Sequence, residues 1–433
     1  MNVAPDARKL SLRLERLAQR KTLRAIAEVL VVGICTLAFV LTAAGICVSL
    51  LGKAGPGTRD FVEYWASGKQ LVNHANPYDG DAMLRIERSA GFPTGIAVLV
   101  MGNTPSSLLL VLPLGYLNAR SAELLWSLLL LACLVASVRM VRAMHGSPKN
   151  ELHFLGYTFG PAVACVAVGQ VSLLVLLGLV LFLRFHRSHQ YLAGVSLWLC
   201  ALKPHLFLPF GVALLAWIIA TKCYRLLVGA VSALGFSTAI AFILDPSAWT
   251  QYGQMMSTSR YDKLPIPCFS IMLRRSVSPS STWLQYLPAL LGCIWALDYF
   301  RRHRDDWDWM AHGSLLMLVS VLVAPYSWFI DQAILMPALL HGIYLNRSRN
   351  LVAILALASA AIEIAPVRGM PLMHSAFYLW TAPGWLVWYL YATRASNSVN
   401  AFDPRGVDPE LTMATNGQLC PMPGLPGSGA TEV

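Results

Sequence analysis

The chain has 433 residues, of which 56% are hydrophobic and only 13% are charged. Soluble globular proteins carry about 25% charged residues, so the composition argues against a water-soluble protein. The net charge of +11 does not indicate nucleic-acid binding, because the basic residues alternate with apolar runs instead of forming one patch.

Long uncharged runs recur along the chain, for example at 29–52, 226–244 and 276–297. A helix needs about 20 apolar residues to cross a bilayer, and a helix satisfies its own backbone polar groups in lipid. The pattern predicts an all-α polytopic membrane protein with about 12 transmembrane helices. The predicted spans lie near 29–51, 121–142, 153–168, 170–186, 190–203, 204–221, 226–244, 283–300, 310–325, 327–345, 350–366 and 373–393.

The basic residues predict the orientation of these spans. Of the 33 Lys and Arg residues, 21 lie in the N-terminal segment 1–28, in short loops on the same side of the membrane, or in the tail. The positive-inside rule makes this side, with both termini, cytoplasmic. The transmembrane domain is then 29–395, with extracytoplasmic loops at 52–120 and 245–282. The tail, 396–433, is rich in Gly, Pro and small polar residues and is predicted to be disordered.

Three predicted helix breaks fall on the extracytoplasmic side, at Gly169-Gln170, Lys203-Pro204 and Pro325–Asp331. Irregular backbone is tolerated at membrane depth only where protein covers it or where it lines a wet cavity. The three breaks therefore predict an outward-facing cavity. Neither the nine cysteines nor the histidines show metal-ligand spacing, so no metal and no cofactor are predicted.

The first outer loop contains its own apolar stretch, Ile96–Leu117. If this stretch crossed the membrane, Arg139 and Arg142 would lie outside and every later loop would invert. We therefore predict an outer juxtamembrane helix here.

The same loop begins with "DFVEYWASGKQLVNHANPYD", which has helical spacing of apolar residues and ends in an Asn-Pro-Tyr turn. One interpretation is structural: Asp60 and Glu63 form a capping box, while Tyr64 and Trp65 belong to the interfacial aromatic belt. The other is functional. The helix dipole and amide donors would keep the Asp60 carboxylate ionised, able to take a proton from a sugar hydroxyl, and the two rings would offer flat faces to pyranose rings.

Polar residues at the breaks form a second set of candidates. Lys203 either binds a phosphate or extends to the lipid headgroups. A bare carboxylate at Asp331 is costly, so it is predicted to pair with Lys203 or an arginine, or to bind sugar hydroxyls. The remaining candidates for substrate binding are Gln170, His205, Trp328, Arg274 and Arg275, with Arg260 as a further basic residue of the second outer loop.

Several of these motifs occur together in one known family. The residues Asp60-Phe61, Tyr64-Trp65, Gly68 and Asn76-Pro77-Tyr78 resemble the first-loop signature of glycosyltransferase family 87. Gly169-Gln170, Ala193-Gly194, Lys203-Pro204 and "APYSWFIDQAIL" (324–335) follow in similar order, so the resemblance covers roughly 28–345. The chain departs from the pattern at His205, where an amide often follows Lys-Pro, and at Thr104-Pro105, where Pro-Pro is common.

The resemblance implies a GT-C-like bundle in the cell (inner) membrane. The enzyme would transfer a hexose or pentose, mannose-like first of all, from a polyprenyl-phosphate donor to an extracytoplasmic glycan or glycolipid acceptor. Asp60 would be the general base of an inverting reaction. Two other classes stay open from the sequence: a transporter or flippase of lipid-linked or small polar substrates, and a non-catalytic subunit of a membrane assembly.

Overall fold

The computed structural model describes residues 33, 57, 59–258, 266–346, 348–368 and 374–400, with backbone only for 364–368 and 395–400. The basic segment 1–28, the first predicted span apart from Gly33, Arg260 and the tail after Asn400 lie outside this description. Every regular element in the described residues is a helix, which confirms the all-α prediction.

Three helices lie in the segment 59–118, which belongs to the predicted first outer loop and keeps that name below: α1 (Phe61–Val72), α2 (Gly80–Ser89) and α3 (Leu108–Gly115). A 3-10 turn, Pro105–Ser107, leads into α3. The predicted juxtamembrane helix over Ile96–Leu117 is therefore too long, because residues 96–104 are not helical. The reason is local: Gly95 adopts a left-handed conformation (φ +87°), and Pro105 favours a helix start rather than a helix interior.

The apolar part of the chain follows as a series of helices. In chain order these are α4 (Ala119–Met144), α5 (Phe154–Tyr157), α6 (Gly160–Val168), α7 (Ser172–Phe185), α8 (Gln190–Cys200), α9 (Leu208–Thr221), α10 (Tyr224–Leu244), α11 (Ala248–Thr258), α12 (Phe269–Val277), α13 (Leu287–His303), α14 (His312–Val323), α15 (Met336–Leu345), α16 (Arg349–Arg368) and α17 (Thr381–Asn400).

Within the described residues, three helical segments are long and apolar enough to cross a membrane on their own: α4, α10, and α9 with the turn that precedes it. Other apolar helices have only 10–17 residues, among them α7 and α14. They are short because the predicted breaks are real. Backbone that is not α-helical separates α6 from α7, α8 from α9, and α14 from α15. The count of twelve spans stays a prediction.

The outer loop packs closely on itself, and two glycines permit the contact. A Cβ on Gly68 of α1 would lie 2.3 Å from the Val111 carbonyl oxygen, and one on Gly115 would lie 2.1 Å from the Gly68 carbonyl oxygen. No side chain fits at these distances, so α1 and α3 approach backbone to backbone. This contact fixes α1, and with it the residue that immediately precedes α1, Asp60.

Candidate functional site

The three helix breaks meet at one buried cluster of polar side chains. Lys203 Nζ donates hydrogen bonds to Asp331 Oδ1 at 2.5 Å and to Gln170 Oε1 at 3.2 Å. One residue of the cluster thus comes from each break. The predicted pairing of Asp331 with Lys203 is confirmed.

Asp331 is held on both carboxylate oxygens and is only 1% exposed. Ser172 Oγ donates to Oδ1 at 2.9 Å, and the Trp328 backbone N–H donates to Oδ2 at 2.9 Å. With the Lys203 ammonium, these donors compensate for burying the charge. The residue lies in a 3-10 stretch, Phe329–Leu335, so the chain leaves the α-helical conformation where the carboxylate is needed.

Asp60 joins the same cluster through Gln170, whose Nε2 donates to Asp60 Oδ2 at 2.9 Å. The predicted capping box of Asp60 and Glu63 is wrong. Asp60 has helical backbone angles, and its side chain accepts no hydrogen bond from the start of α1. The Asp60 carboxylate accepts from the side-chain amide of Gln170, which is distant in sequence, and not from the backbone at the start of α1.

Burial governs the electrostatics of Asp60, which is 6% exposed. Burial raises the pKa of its carboxyl, although the Gln170 hydrogen bond and the Lys203 charge act in the opposite direction. The expectation that amide donors and the helix dipole would dominate is therefore wrong. Glu63, one turn further along α1, has its pKa raised well above the usual range, first by burial and then by Asp60.

Tyr64 and Trp65 are both buried and packed on protein. The Tyr64 hydroxyl donates to Gln170 Oε1 at 2.9 Å, and its ring centroid lies 5.1 Å from that of Trp126. The Trp65 indole donates to the Leu117 carbonyl at 3.1 Å. In this arrangement Tyr64 orients the amide that contacts Asp60.

The Asn-Pro-Tyr turn connects the outer loop to the Lys203 break. Asn76 Oδ1 accepts from the Tyr78 N–H at 2.8 Å, which closes the predicted turn. The Tyr78 hydroxyl donates to the Asn103 carbonyl at 3.1 Å, and Asn103 Nδ2 donates to the Leu202 carbonyl at 2.8 Å. The backbone next to Lys203 is thus tied to the first outer loop.

Two aromatic residues lie next to the cluster: His205 follows Lys203 by two residues, and Trp328 precedes Asp331 by three. His205 packs edge-on to Tyr326 at 5.7 Å, and Trp328 stacks on His374 at 5.0 Å with an interplanar angle of 16°. The buried Nε2 atom of His205 has no hydrogen-bond partner in the part of the chain that the structure describes. The other two basic candidates lie on α12, where Arg274 is buried and Arg275 is exposed. Among the described residues, no group of three or more His, Cys, Asp or Glu could hold a metal ion.

Sequence reasoning missed three residues that support the site: Arg59, Glu123 and Ser172. Arg59 pairs with Glu123 through a 2.8 Å contact, and both side chains are buried. The sequence did indicate that Glu123 has a partner, because a single acidic residue in an apolar span is costly unless a cation pairs with it. Its partner was adjacent in sequence to Asp60, but only the fold brings the two charges together.

Gly169, where α6 ends, packs against Phe61 at the start of α1. Substitution of Gly169 tests this contact directly, and Gly95 is the matched control. Both glycines have positive φ, +80° and +87°, so alanine at either position carries a backbone cost of about 1–2 kcal/mol. A Cβ at Gly169 would also lie 2.7 Å from Phe61 Cβ, whereas at Gly95 nothing lies within 4 Å. We expect Gly169→Ala to lower the melting temperature clearly more than Gly95→Ala. Equal losses in thermal unfolding would contradict the packing of α1 against the first break.

Glu87 predicts a pH dependence of stability. It is fully buried on α2, its Oε2 accepts from the Leu99 N–H at 3.3 Å, and burial raises its pKa from 4.5 to about 7. Between pH 4.5 and about 7, the folded state therefore binds more protons than the unfolded state. The protonated Glu87 side chain stabilises the fold at low pH, and this contribution is lost as the pH rises through about 7. Melting temperatures at about pH 5.5 and 8 should differ less in Glu87→Gln than in the wild type. An unchanged difference would refute this assignment.

The fold and the cluster define the class of protein before any comparison: a membrane protein whose regular elements, in the part that the structure describes, are helices that enclose a site of paired charges. A family model of glycosyltransferase family 87 matches residues 103–341. The chain belongs to glycosyltransferase family 87 and is a membrane glycosyltransferase, as the resemblance implied. The match contains Gln170, Lys203, His205 and Asp331, and it begins after Asp60. Searches of curated proteins and of solved structures found no match.

Proposed function

We propose that the protein transfers a hexose or pentose, mannose-like first of all, from a polyprenyl-phosphate donor to a glycan or glycolipid on the outer side of the cell membrane. The bundle would be of GT-C type, and Asp60 would be the general base. The observation that carries this proposal is the hydrogen-bonded chain from Asp60 through Gln170 to Lys203 and Asp331. It supports the proposal because such a transfer needs both a base and a cation, and this cluster holds both.

In the proposed step the acceptor hydroxyl gives its proton to the Asp60 carboxylate. The acceptor oxygen forms a bond to the anomeric carbon of the donor from the face opposite the phosphate. The bond from that carbon to the phosphate oxygen breaks, and polyprenyl phosphate leaves with the electron pair. A positioned base contributes about 10²–10⁴-fold, and it works best when its pKa lies near the operating pH. Burial moves the pKa of Asp60 in that direction.

The leaving phosphate would bind beside Lys203. Because Asp331 already pairs with this ammonium, the phosphate must share it with a carboxylate. His205 offers a second group, since its Nε2 lacks a partner among the described residues and can donate to an anion when it carries the proton. Arg274 and Arg275 on α12 are further candidates in the proposal for the same anion.

An apolar cavity of about 370 Å³ supports a lipid-linked donor. Its volume falls in the usual range for ligand pockets, about 300–1,000 Å³. Its wall is built from α12, α14 and the start of α17, and it includes Ser327 and Gln332 from the chain segment that carries Asp331. In the proposal, part of the prenyl chain occupies this cavity and its phosphate lies beside Lys203.

The acceptor would approach from the aqueous side, over the first outer loop. In the proposal Trp328, which is stacked on His374 and whose backbone N–H binds Asp331, contacts the sugar. Tyr64 acts through its hydroxyl on Gln170, and Trp65 anchors α1 to Leu117.

The experiment uses purified full-length protein in lipid nanodiscs. Long-chain polyprenyl phosphates carrying mannose, glucose, galactose or arabinose are offered together with glycolipids extracted from membranes. At least one donor should yield free polyprenyl phosphate and glycosylated product in equal amounts. If no donor is cleaved, the proposal is wrong. Movement of intact donor across proteoliposomes, without cleavage, would indicate the transporter class instead.

A further inference from the structure

Arg59 is one of the most fully bonded side chains near the site, and it is only 5% exposed. Its Nε donates to the Ala167 carbonyl at 2.7 Å, and Nη2 donates to the Val166 carbonyl at 2.5 Å. Its Nη1 donates to Glu123 Oε1 at 2.8 Å and to Ser127 Oγ at 3.2 Å. Four hydrogen bonds therefore connect one guanidinium to two other helices.

The two carbonyls lie in the last turn of α6, where the helix dipole favours a cation. The Val166 carbonyl also accepts from the Gly169 N–H at 3.2 Å, so Arg59 binds the same group that closes the end of the helix. Gly169 and Gln170 follow directly, so the end of α6 determines where the Gln170 amide lies. At the other end of the interaction, Arg59 immediately precedes Asp60. One side chain thus fixes the backbone on both sides of the hydrogen bond between Gln170 and Asp60.

Helix α4 completes the arrangement from one face. Glu123, Trp126 and Ser127 are spaced three and four residues apart, so they project from the same side of this helix. Two of them bind Arg59, and the Trp126 indole donates to the Gly169 carbonyl at 2.7 Å. The junction of α1 with α6 is therefore supported by groups that belong to neither helix.

We infer that Arg59, paired with Glu123, is a positioning residue for sugar transfer: it holds Asp60 and Gln170 at hydrogen-bonding distance from each other. This inference rests on the proposed function for its kinetic part. It does not make Arg59 a catalytic residue, because its donors are directed at protein groups. Apolar side chains of similar volume can replace a buried ion pair at little cost in stability, but they cannot bind two carbonyls.

The test compares Arg59→Met/Glu123→Met with the wild type in nanodiscs. We expect the double variant to stay folded while kcat falls about 10- to 100-fold and the KM for the donor changes by less than about threefold. The matched control is Arg302→Met/Asp298→Met, which removes an exposed ion pair of 2.7 Å on α13 and should keep kcat within about twofold. Arg59→Lys retains a charge for Glu123, so it keeps the test valid if the double variant does not fold.

Hydrogen–deuterium exchange separates this inference from the proposed function. Amides of 60–64 and 169–172 should exchange faster in the double variant, or in Arg59→Lys, than in the wild type, and should be unchanged in the control. If the wild type cleaves no donor, the proposed function fails and the exchange data alone decide the role of Arg59. Unchanged exchange, or a kcat within about twofold of the wild type, would overturn the inference.

Discussion

Asp60→Asn is expected to reduce sugar transfer about 10²–10⁴-fold, the contribution of a well-placed general base. Asparagine keeps the size of the side chain and an oxygen that can accept from Gln170 Nε2, so the cluster should persist. It cannot take a proton from a hydroxyl. Donor binding and melting temperature should therefore stay close to those of the wild type while kcat falls.

Asp79→Asn is the matched control for this substitution. Asp79 is a helix-capping aspartate of the same loop, because its Oδ1 accepts from the N–H groups of Asp81 and Ala82 at 3.0 and 3.1 Å. Asparagine caps a helix about as well as aspartate, so this variant should keep full activity. If Asp60→Asn behaved like Asp79→Asn, Asp60 would be structural and the proposed mechanism would lose its base.

Lys203→Met is expected to destabilise the protein strongly. The Lys203 and Asp331 side chains are 12% and 1% exposed, so removal of the ammonium leaves a buried carboxylate without its cation. Breaking a buried pair in this way costs about 3–5 kcal/mol. Thermal unfolding in detergent should show a melting temperature well below that of the wild type.

The double variant Lys203→Met/Asp331→Leu separates stability from function. It removes both charges, so much of the lost stability should return. Sugar transfer should not return, because no ammonium remains for the leaving phosphate. A double variant with activity close to that of the wild type would show that the pair is purely structural.

The sequence predicted the helix breaks well because their causes are local. Gly169 ends α6 in a left-handed conformation, and Pro204 begins a 3-10 turn. The limits of α4 and α10 lie within two residues of the predicted spans, because long uncharged runs mark them clearly. The partner of Asp331 was also predictable, since few cations lie near the outer ends of the spans.

The arrangement around Asp60 was not predictable, because its causes are tertiary. An aspartate at a helix start with Glu63 three residues later is a reasonable capping motif. The fold instead places Gln170, 110 residues away in sequence, against the carboxylate. The same holds for Arg59, whose partners lie 64 to 108 residues further along the chain. Apolar periodicity gives no information about such contacts.

The most direct test of the central idea, that Asp60 and Lys203 serve one active site, is the structure of Asp60→Asn bound to a donor that the wild type cleaves. We expect the donor phosphate within hydrogen-bonding distance of Lys203 or His205, and the sugar between that phosphate and residue 60. A donor head group bound away from this cluster, or with residue 60 on the same face of the sugar as the phosphate, would contradict it.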